Sequence, residues 1–174
     1  MRSFVLGPLI RIVPVGMCLL AVQRTVLTEI TPFDVVLQIV LALAAATGAG
    51  AGPERGAIGG FTLGLMYDLA TGSPLGLTAL VYALAGFCAG YVLRLTPEPQ
   101  WWLASLFAAI GAAVGETAAP AARALVGHDG WFTRELFVIV PVVSVFALVL
   151  SPLFVPLGRW CMCVRTPRWR ALHE

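Results

Sequence analysis

Long apolar stretches separated by short polar breaks run through nearly the whole of this sequence of 174 residues. Only 11% of the residues are charged and 59% are hydrophobic, whereas a soluble domain carries about 25% charged residues. So few charges cannot cover a surface that faces water. The sequence therefore predicts an all-α integral membrane protein.

The apolar stretches predict a single membrane domain without a linker. A membrane-spanning helix needs about 20 residues, so the chain has room for about six spans. We expect these six transmembrane helices at residues 12–27, 33–47, 56–69, 75–93, 101–125 and 136–154. Pro14 is expected in the first turn of its helix, where proline is tolerated. The glycine-rich stretch 48–56 is expected to break the chain between the second and third spans.

The basic residues, all of them arginine, are distributed unevenly between the two ends of these spans. With six spans, both termini and two of the loops share one side of the membrane, and that side holds eight of the eleven arginines. Basic residues accumulate on the cytoplasmic side of membrane proteins. We therefore expect both termini in the cytoplasm. The eight residues are Arg2, Arg11, Arg55, Arg94, Arg159, Arg165, Arg168 and Arg170.

A carboxylate stands at a predicted bend within residues 60–76, between the third and fourth spans. The stretch is apolar up to Tyr67, continues with Asp68, breaks at Gly72 and Pro74, and becomes apolar again from Leu75. This pattern predicts a hairpin of two membrane helices. An ionisable group in a membrane is costly unless it has a partner or a function.

Other ionisable residues are predicted at a similar depth. Arg24, Asp68 and Glu116 lie 12 to 14 residues from the inner start of their spans, or about 18 to 21 Å along a helix. Arg123 follows Glu116 by two turns on the same face. Our hypothesis is an internal polar cluster in which an arginine neutralises Asp68 or Glu116. It would act as a proton or ion relay or pin the helices together; the position of Asp68 at a helix end favours the structural role.

Glycines one helical turn apart predict a close contact between helices. Gly56, Gly60 and Gly64 line up on one face of the third span, and small residues at this spacing let helix backbones approach in lipid. Packing inside the bundle is favoured over binding of a partner.

Residues typical of catalysis or of metal binding are scarce. His128 and His173 are the only histidines, and both fall in segments predicted to be exposed to water. There is no histidine–glutamate metal motif and no nucleophile motif of the G-x-S-x-G type. We expect a protein that is not an enzyme and has no cofactor and no metal.

The hairpin sequence resembles the rod shape-determining protein MreD family. The run G-F-T-L-G-L-M-Y-D-L, followed by S-P-L-G and a further apolar helix, is similar to that family's signature of G-F-x-x-G-L-x-x-D-L and a later L-G. Gln23 matches a glutamine common near the end of the family's first span, and Pro32 to Asp34 are similar to the start of its second. The resemblance covers roughly residues 20–95.

This resemblance implies a non-enzymatic membrane scaffold of the bacterial cell-elongation (rod) complex in the cytoplasmic membrane. The implied direct partner is MreC, which links the family to MreB, RodA and penicillin-binding protein 2; membrane lipids are further partners and nucleic acid is not. The implied fold is similar to the six-helix substrate-binding subunit of energy-coupling-factor transporters. The implied important positions are Gly64, Asp68, Pro74, Leu75 and Gly76. Asp68 is expected to accept hydrogen bonds from N–H groups at the start of the fourth span.

Two alternatives stay open. The first is the substrate-binding subunit of an energy-coupling-factor vitamin transporter, a class that uses an Ala-x-x-x-Ala face on its first helix. The spacings Ala42–Ala46 and Ala45–Ala49 fit, but they lie in the second predicted span. The second alternative is a small membrane enzyme or ion carrier, in which Asp68 and Glu116 would be catalytic or conductive.

Overall fold

The computed structural model of the protein describes residues 2–27, 38–96, 99–125, 127 and 136–162, and these contain helices and no strand. A π-helical turn, Gln23–Leu27, continues the first helix. The helices are α1 Arg2–Val22, α2 Ile39–Ala51, α3 Pro53–Thr71, α4 Leu77–Gly90, α5 Val92–Leu95, α6 Trp101–Leu125 and α7 Leu136–Cys161.

The predicted helix boundaries agree best for α6, which covers residues 101–125 as expected. Helix α1 begins ten residues before the predicted first span, so Pro14 lies in its interior and not in its first turn. Arg11 lies within this helix, where its guanidinium donates to the Trp160 carbonyl at 3.2 Å and lies 5.1 Å from the centre of the Trp160 ring. Residues 33–37 of the second predicted span lie outside the described residues.

The glycine-rich stretch 48–56 is mostly helical, contrary to the predicted break. Helix α2 continues to Ala51, and α3 begins at Pro53. Only Gly52, with a φ of +94°, separates them. The flanking glycines stay helical because they pack against another helix: a Cβ on Gly48 or Gly56 would collide with the backbone of Gly86 in α4.

Helix α2 is the centre of the bundle. Residues 40–50 are all buried, and α3, α4, α6 and α7 surround them, while α1 packs mainly against α3. The 13 residues of α2 give it a length of about 20 Å. Its alanines and glycines allow the neighbouring helices to approach closely.

Three helical segments in the described part of the chain are long and apolar enough to cross a membrane. They are Leu77–Leu95, Trp101–Ala124 and Ile139–Cys161. Helix α2 is apolar but shorter, and α3 contains Glu54, Arg55 and Asp68.

The bundle has two chemically different ends. At one end, Arg159 donates to the Gly50 carbonyl at 3.2 Å, and the Arg94 Nη2 atom lies 3.9 Å from the Glu54 Oε1 atom. Together with Arg11 and Arg55, these arginines define the basic end. The turn between α3 and α4 lies at the opposite end, which we call the hairpin end.

Candidate functional site: the α3–α4 hairpin and the Glu116 cavity

The turn between α3 and α4 is built on two glycines in the left-handed conformation. Gly72, with a φ of +71°, ends α3 and donates its N–H to the Asp68 carbonyl at 2.9 Å. Gly76, with a φ of +96°, precedes the first residue of α4. Such conformations are easily adopted only by glycine. The chain therefore reverses direction within the five residues 72–76, at the place that the sequence predicts.

The Asp68 side chain is completely buried and reaches across this turn. Its Oδ1 accepts hydrogen bonds from the Ser73 hydroxyl at 2.9 Å and from the Thr78 N–H at 3.3 Å. Its Oδ2 accepts from the N–H groups of Gly76 at 2.9 Å and Ala79 at 3.3 Å. The predicted hydrogen bonds from the start of α4 to Asp68 are thus confirmed.

This carboxylate caps α4 from outside the helix. The first N–H groups of a helix have no partner within it, and Gly76 at the N-cap position has no side chain to supply one. A negative charge is also favourable at a helix N-terminus, where the helix dipole is positive. Asp68 therefore stabilises α4 by hydrogen bonding and by charge, and it joins α3 and α4 into one unit.

The glycine face of α3 packs directly on α4. A Cβ on Gly64 would lie 2.5 Å from the Ala79 Cα and 2.6 Å from the Thr78 carbonyl oxygen. One turn away along α3, a Cβ on Gly60 would collide with the Tyr82 carbonyl. The preference for packing inside the bundle is confirmed for this face.

Two further signature residues lie on the outside of the hairpin. Pro74 is exposed, and its carbonyl accepts a hydrogen bond from the Leu77 N–H at 3.2 Å. Leu75 is 68% exposed. Neither side chain is buried in the bundle, so both are available to lipid or to another protein.

The predicted polar cluster is divided into two parts. Arg24 donates to the Ala70 carbonyl at 3.0 Å, at the end of α3, and Asp68 is held by the hairpin. Among the described residues, no ion pair joins Asp68 or Glu116 to Arg123. The expected neutralisation of Asp68 by an arginine is therefore replaced by four N–H and O–H donors of the hairpin.

Glu116 belongs to a separate site, in the middle of α6. It is only 5% exposed, and its Oε1 atom is buried without a hydrogen-bond partner in the described part of the chain. Glu116 and Arg123 line the same cavity, of about 30 Å³, together with Tyr67, Tyr82 and Thr78. A wider cavity of about 410 Å³ adjoins it and shares Tyr67, Thr78 and Arg123.

Two glutamines at the hairpin end have roles that sequence reasoning did not assign. Gln23 is 3% exposed, and its Oε1 accepts the N–H of Val40 in the first turn of α2 at 3.1 Å. Gln38 accepts a hydrogen bond from the Tyr82 hydroxyl at 2.9 Å. In the sequence, the feature that indicates such a role is an amide side chain beside or within an apolar stretch, because a buried amide needs a polar partner.

The described residues contain no group of three or more histidine, cysteine, aspartate or glutamate side chains that could hold a metal ion. No family model, no curated protein and no solved structure matches the chain.

Proposed function

We propose that this protein is a non-enzymatic membrane scaffold of the bacterial rod complex, with the role of MreD. It binds MreC and helps to couple MreB to the wall-synthesis proteins RodA and penicillin-binding protein 2. The observation that supports the proposal is the role of the Asp68 side chain within the hairpin. The four hydrogen bonds that its carboxylate accepts all come from the hairpin itself. This is expected of a structural element and not of a reactive site.

The surface of this hairpin suits a partner helix. Its large apolar side chains Leu69, Leu75 and Leu80 are 67%, 68% and 66% exposed. Helices associate in lipid through close packing because lipid tails are themselves apolar. A surface that is already rigid loses less entropy on binding, and the Asp68 hydrogen bonds supply that rigidity. A membrane helix of MreC is the proposed occupant.

The proposed topology has six spans, with the basic end and both termini in the cytoplasm. The three apolar helices described above and the separation of the two ends support it. Arg11, Arg94 and Arg159 make their contacts at the basic end. Trp101 and Trp160, which are 77% and 55% exposed, belong to the same end. Arginine is enriched on the cytoplasmic side of membrane proteins, and tryptophan is enriched at both membrane–water interfaces.

The burial of α2 argues against the vitamin-transporter alternative. Ala42, Ala45, Ala46 and Ala49 are each at most 2% exposed. An Ala-x-x-x-Ala face buried among the protein's own helices is not accessible to a coupling subunit. The scaffold is therefore the better supported of the two functions.

The experiment is affinity purification from detergent-solubilised native membranes, followed by mass spectrometry. The wild type is compared with Asp68→Ala, with the double variant Leu69→Ala/Leu75→Ala, and with Leu153→Ala as a matched control. Leu153 is 65% exposed on α7, away from the hairpin.

We expect the wild type and the control to recover MreC and wall-elongation enzymes, and both hairpin variants to recover about tenfold less MreC, equivalent to about 1.4 kcal/mol. Recovery of an ATPase pair with a coupling subunit would overturn the proposal in favour of vitamin uptake. Equal recovery of MreC by all four proteins would exclude the hairpin as the interface.

A further inference from the structure

We propose that the Glu116 cavity binds a primary ammonium group that is joined by a short linker to an anionic group. This is the chemistry of a phosphoethanolamine headgroup. The inference concerns a ligand of the protein and is independent of the scaffold role. It rests on one buried carboxylate, one arginine and the two adjoining cavities between them.

The inner part of the site has the properties of an ammonium pocket. Glu116 is 95% buried, since only 5% of it is exposed, and its Oε1 lacks a partner among the described residues. A buried carboxylate oxygen without a donor is unfavourable, because it has lost its hydrogen bonds to water. An ammonium group brings three N–H donors and a compensating charge.

Two aromatic rings complete this inner pocket. Tyr67 and Tyr82 both line the cavity, and their ring centres lie 5.8 Å apart. Aromatic faces attract cations, most strongly where water is excluded. The volume of about 30 Å³ admits a group the size of a water molecule or an ammonium, and a trimethylammonium group is larger than that.

The outer part of the site has the properties of an anion pocket. Arg123 lines both the inner and the wider cavity, and its side chain is exposed. The hydroxyl-bearing residues Thr71 and Ser73 line the wider cavity as well. Arginine forms strong, charge-assisted hydrogen bonds with phosphate, and the cavity of about 410 Å³ is large enough for a phosphate group.

The spacing of the two charges selects a ligand that carries both. Glu116 and Arg123 are seven residues apart on α6, or about 10 Å along the helix axis, and both residues line the same cavity. A ligand with only negative charge would be repelled by Glu116, and one with only positive charge by Arg123. Complementary charges of this kind confer specificity.

The neighbouring N-terminus of α4 does not compete for the anion. Its N–H groups at Gly76, Thr78 and Ala79 already donate to the Asp68 carboxylate. The Ser73 hydroxyl likewise already donates to Asp68, and the Thr71 hydroxyl donates to the Tyr67 carbonyl. The phosphate would therefore be bound by Arg123, and the hairpin would keep its own structure.

The test is native mass spectrometry of the full-length protein in detergent, with added phosphatidylethanolamine, phosphatidylcholine or phosphatidylglycerol. We expect the wild type to retain phosphatidylethanolamine at least tenfold better than either other lipid. Glu116→Gln, which keeps the shape and removes the charge, should lose this preference. Arg123→Gln should weaken retention, and Glu54→Gln, a change at the basic end, should behave as wild type.

Soluble phosphoethanolamine and ethanolamine test whether the ligand is the free headgroup or the whole lipid. If phosphoethanolamine raises the unfolding temperature of the wild type and not of Glu116→Gln, the headgroup alone is the ligand; if only the lipid does so, the acyl chains are also needed. Equal retention of all three lipids by the wild type would overturn the proposal without any variant. A folded Glu116→Gln protein that keeps the preference would also overturn it. The lipid preference is measured on the protein alone, so a failure to recover MreC in the affinity purification would not change it.

Discussion

The N–H of Gly76 donates a hydrogen bond of 2.9 Å to Oδ2 of Asp68, eight residues earlier in the chain. The bond depends on the left-handed conformation of Gly76, whose φ is +96°. The hairpin turn and the buried carboxylate therefore require each other. The turn directs N–H groups at the carboxylate, and the carboxylate gives those groups the partner that the helix cannot provide.

Replacing Asp68 with asparagine should destabilise the protein by about 2 to 4 kcal/mol. The substitution removes the charge and turns one acceptor into an NH₂ donor that faces other donors, and unsatisfied buried groups cost about 1 to 3 kcal/mol each. Thermal unfolding in detergent measures the effect. Glu54→Gln is the control because the Glu54 side chain is 80% exposed, and exposed ion pairs contribute about 0 to 1 kcal/mol. Equal stability of the two variants would contradict the capping role of Asp68.

Replacing Gly64 with alanine should separate α3 from α4. The new methyl group would lie 2.6 Å from the Thr78 carbonyl oxygen and 2.5 Å from the Ala79 Cα, and backbone atoms cannot move aside as a flexible side chain does. Overpacking of this kind costs about 1 to 3 kcal/mol. Thermal unfolding should show the loss, whereas Ala121→Val, at an exposed position of α6, should leave the unfolding temperature within the experimental error. An unchanged unfolding temperature for Gly64→Ala would mean that this contact is not close.

Replacing Gln23 with leucine should weaken the contact between α1 and α2. The Gln23 side chain is the acceptor for the buried N–H of Val40, and leucine leaves that group without a partner, at a cost of about 1 to 3 kcal/mol. The matched control is Gln100→Leu, because Gln100 is exposed and precedes α6 at the basic end. Hydrogen exchange at Val40 provides a local readout, and faster exchange is expected only in the Gln23 variant. Unchanged exchange would show that another group protects this N–H.

The proposed topology predicts which side of the membrane each end faces. In a variant without native cysteines, Leu75→Cys should react with a membrane-impermeant maleimide added to intact spheroplasts. Arg94→Cys should react only after the membrane is permeabilised, because it marks the basic end. The reverse pattern would place both termini outside the cytoplasm. Reaction of both positions from the same side would contradict a bundle that crosses the membrane.

Much of the helical framework can be predicted from the sequence because it depends on local composition. The limits of α6 follow from the two tryptophans at its start and from the length of the apolar stretch. The predicted limits of α1 and α2 are less accurate, because the first span is predicted to begin only after Arg11 and the second to end before Gly48. Arg11 and Gly48 both continue their helices, since Trp160 and Gly86 lie where they can accommodate them.

The sequence by itself determined a helical, apolar chain and a hairpin with an acid at its bend, because the hydrophobicity of a stretch and the conformations of glycine and proline are local properties. Only the tertiary structure decided which donors hold Asp68, that Gln23 meets Val40, and that Glu116 shares a cavity with Arg123 and not with Asp68. These contacts depend on how each helix is rotated and displaced against its neighbours. In helices that are apolar on every side, the order of residues carries little information about that rotation.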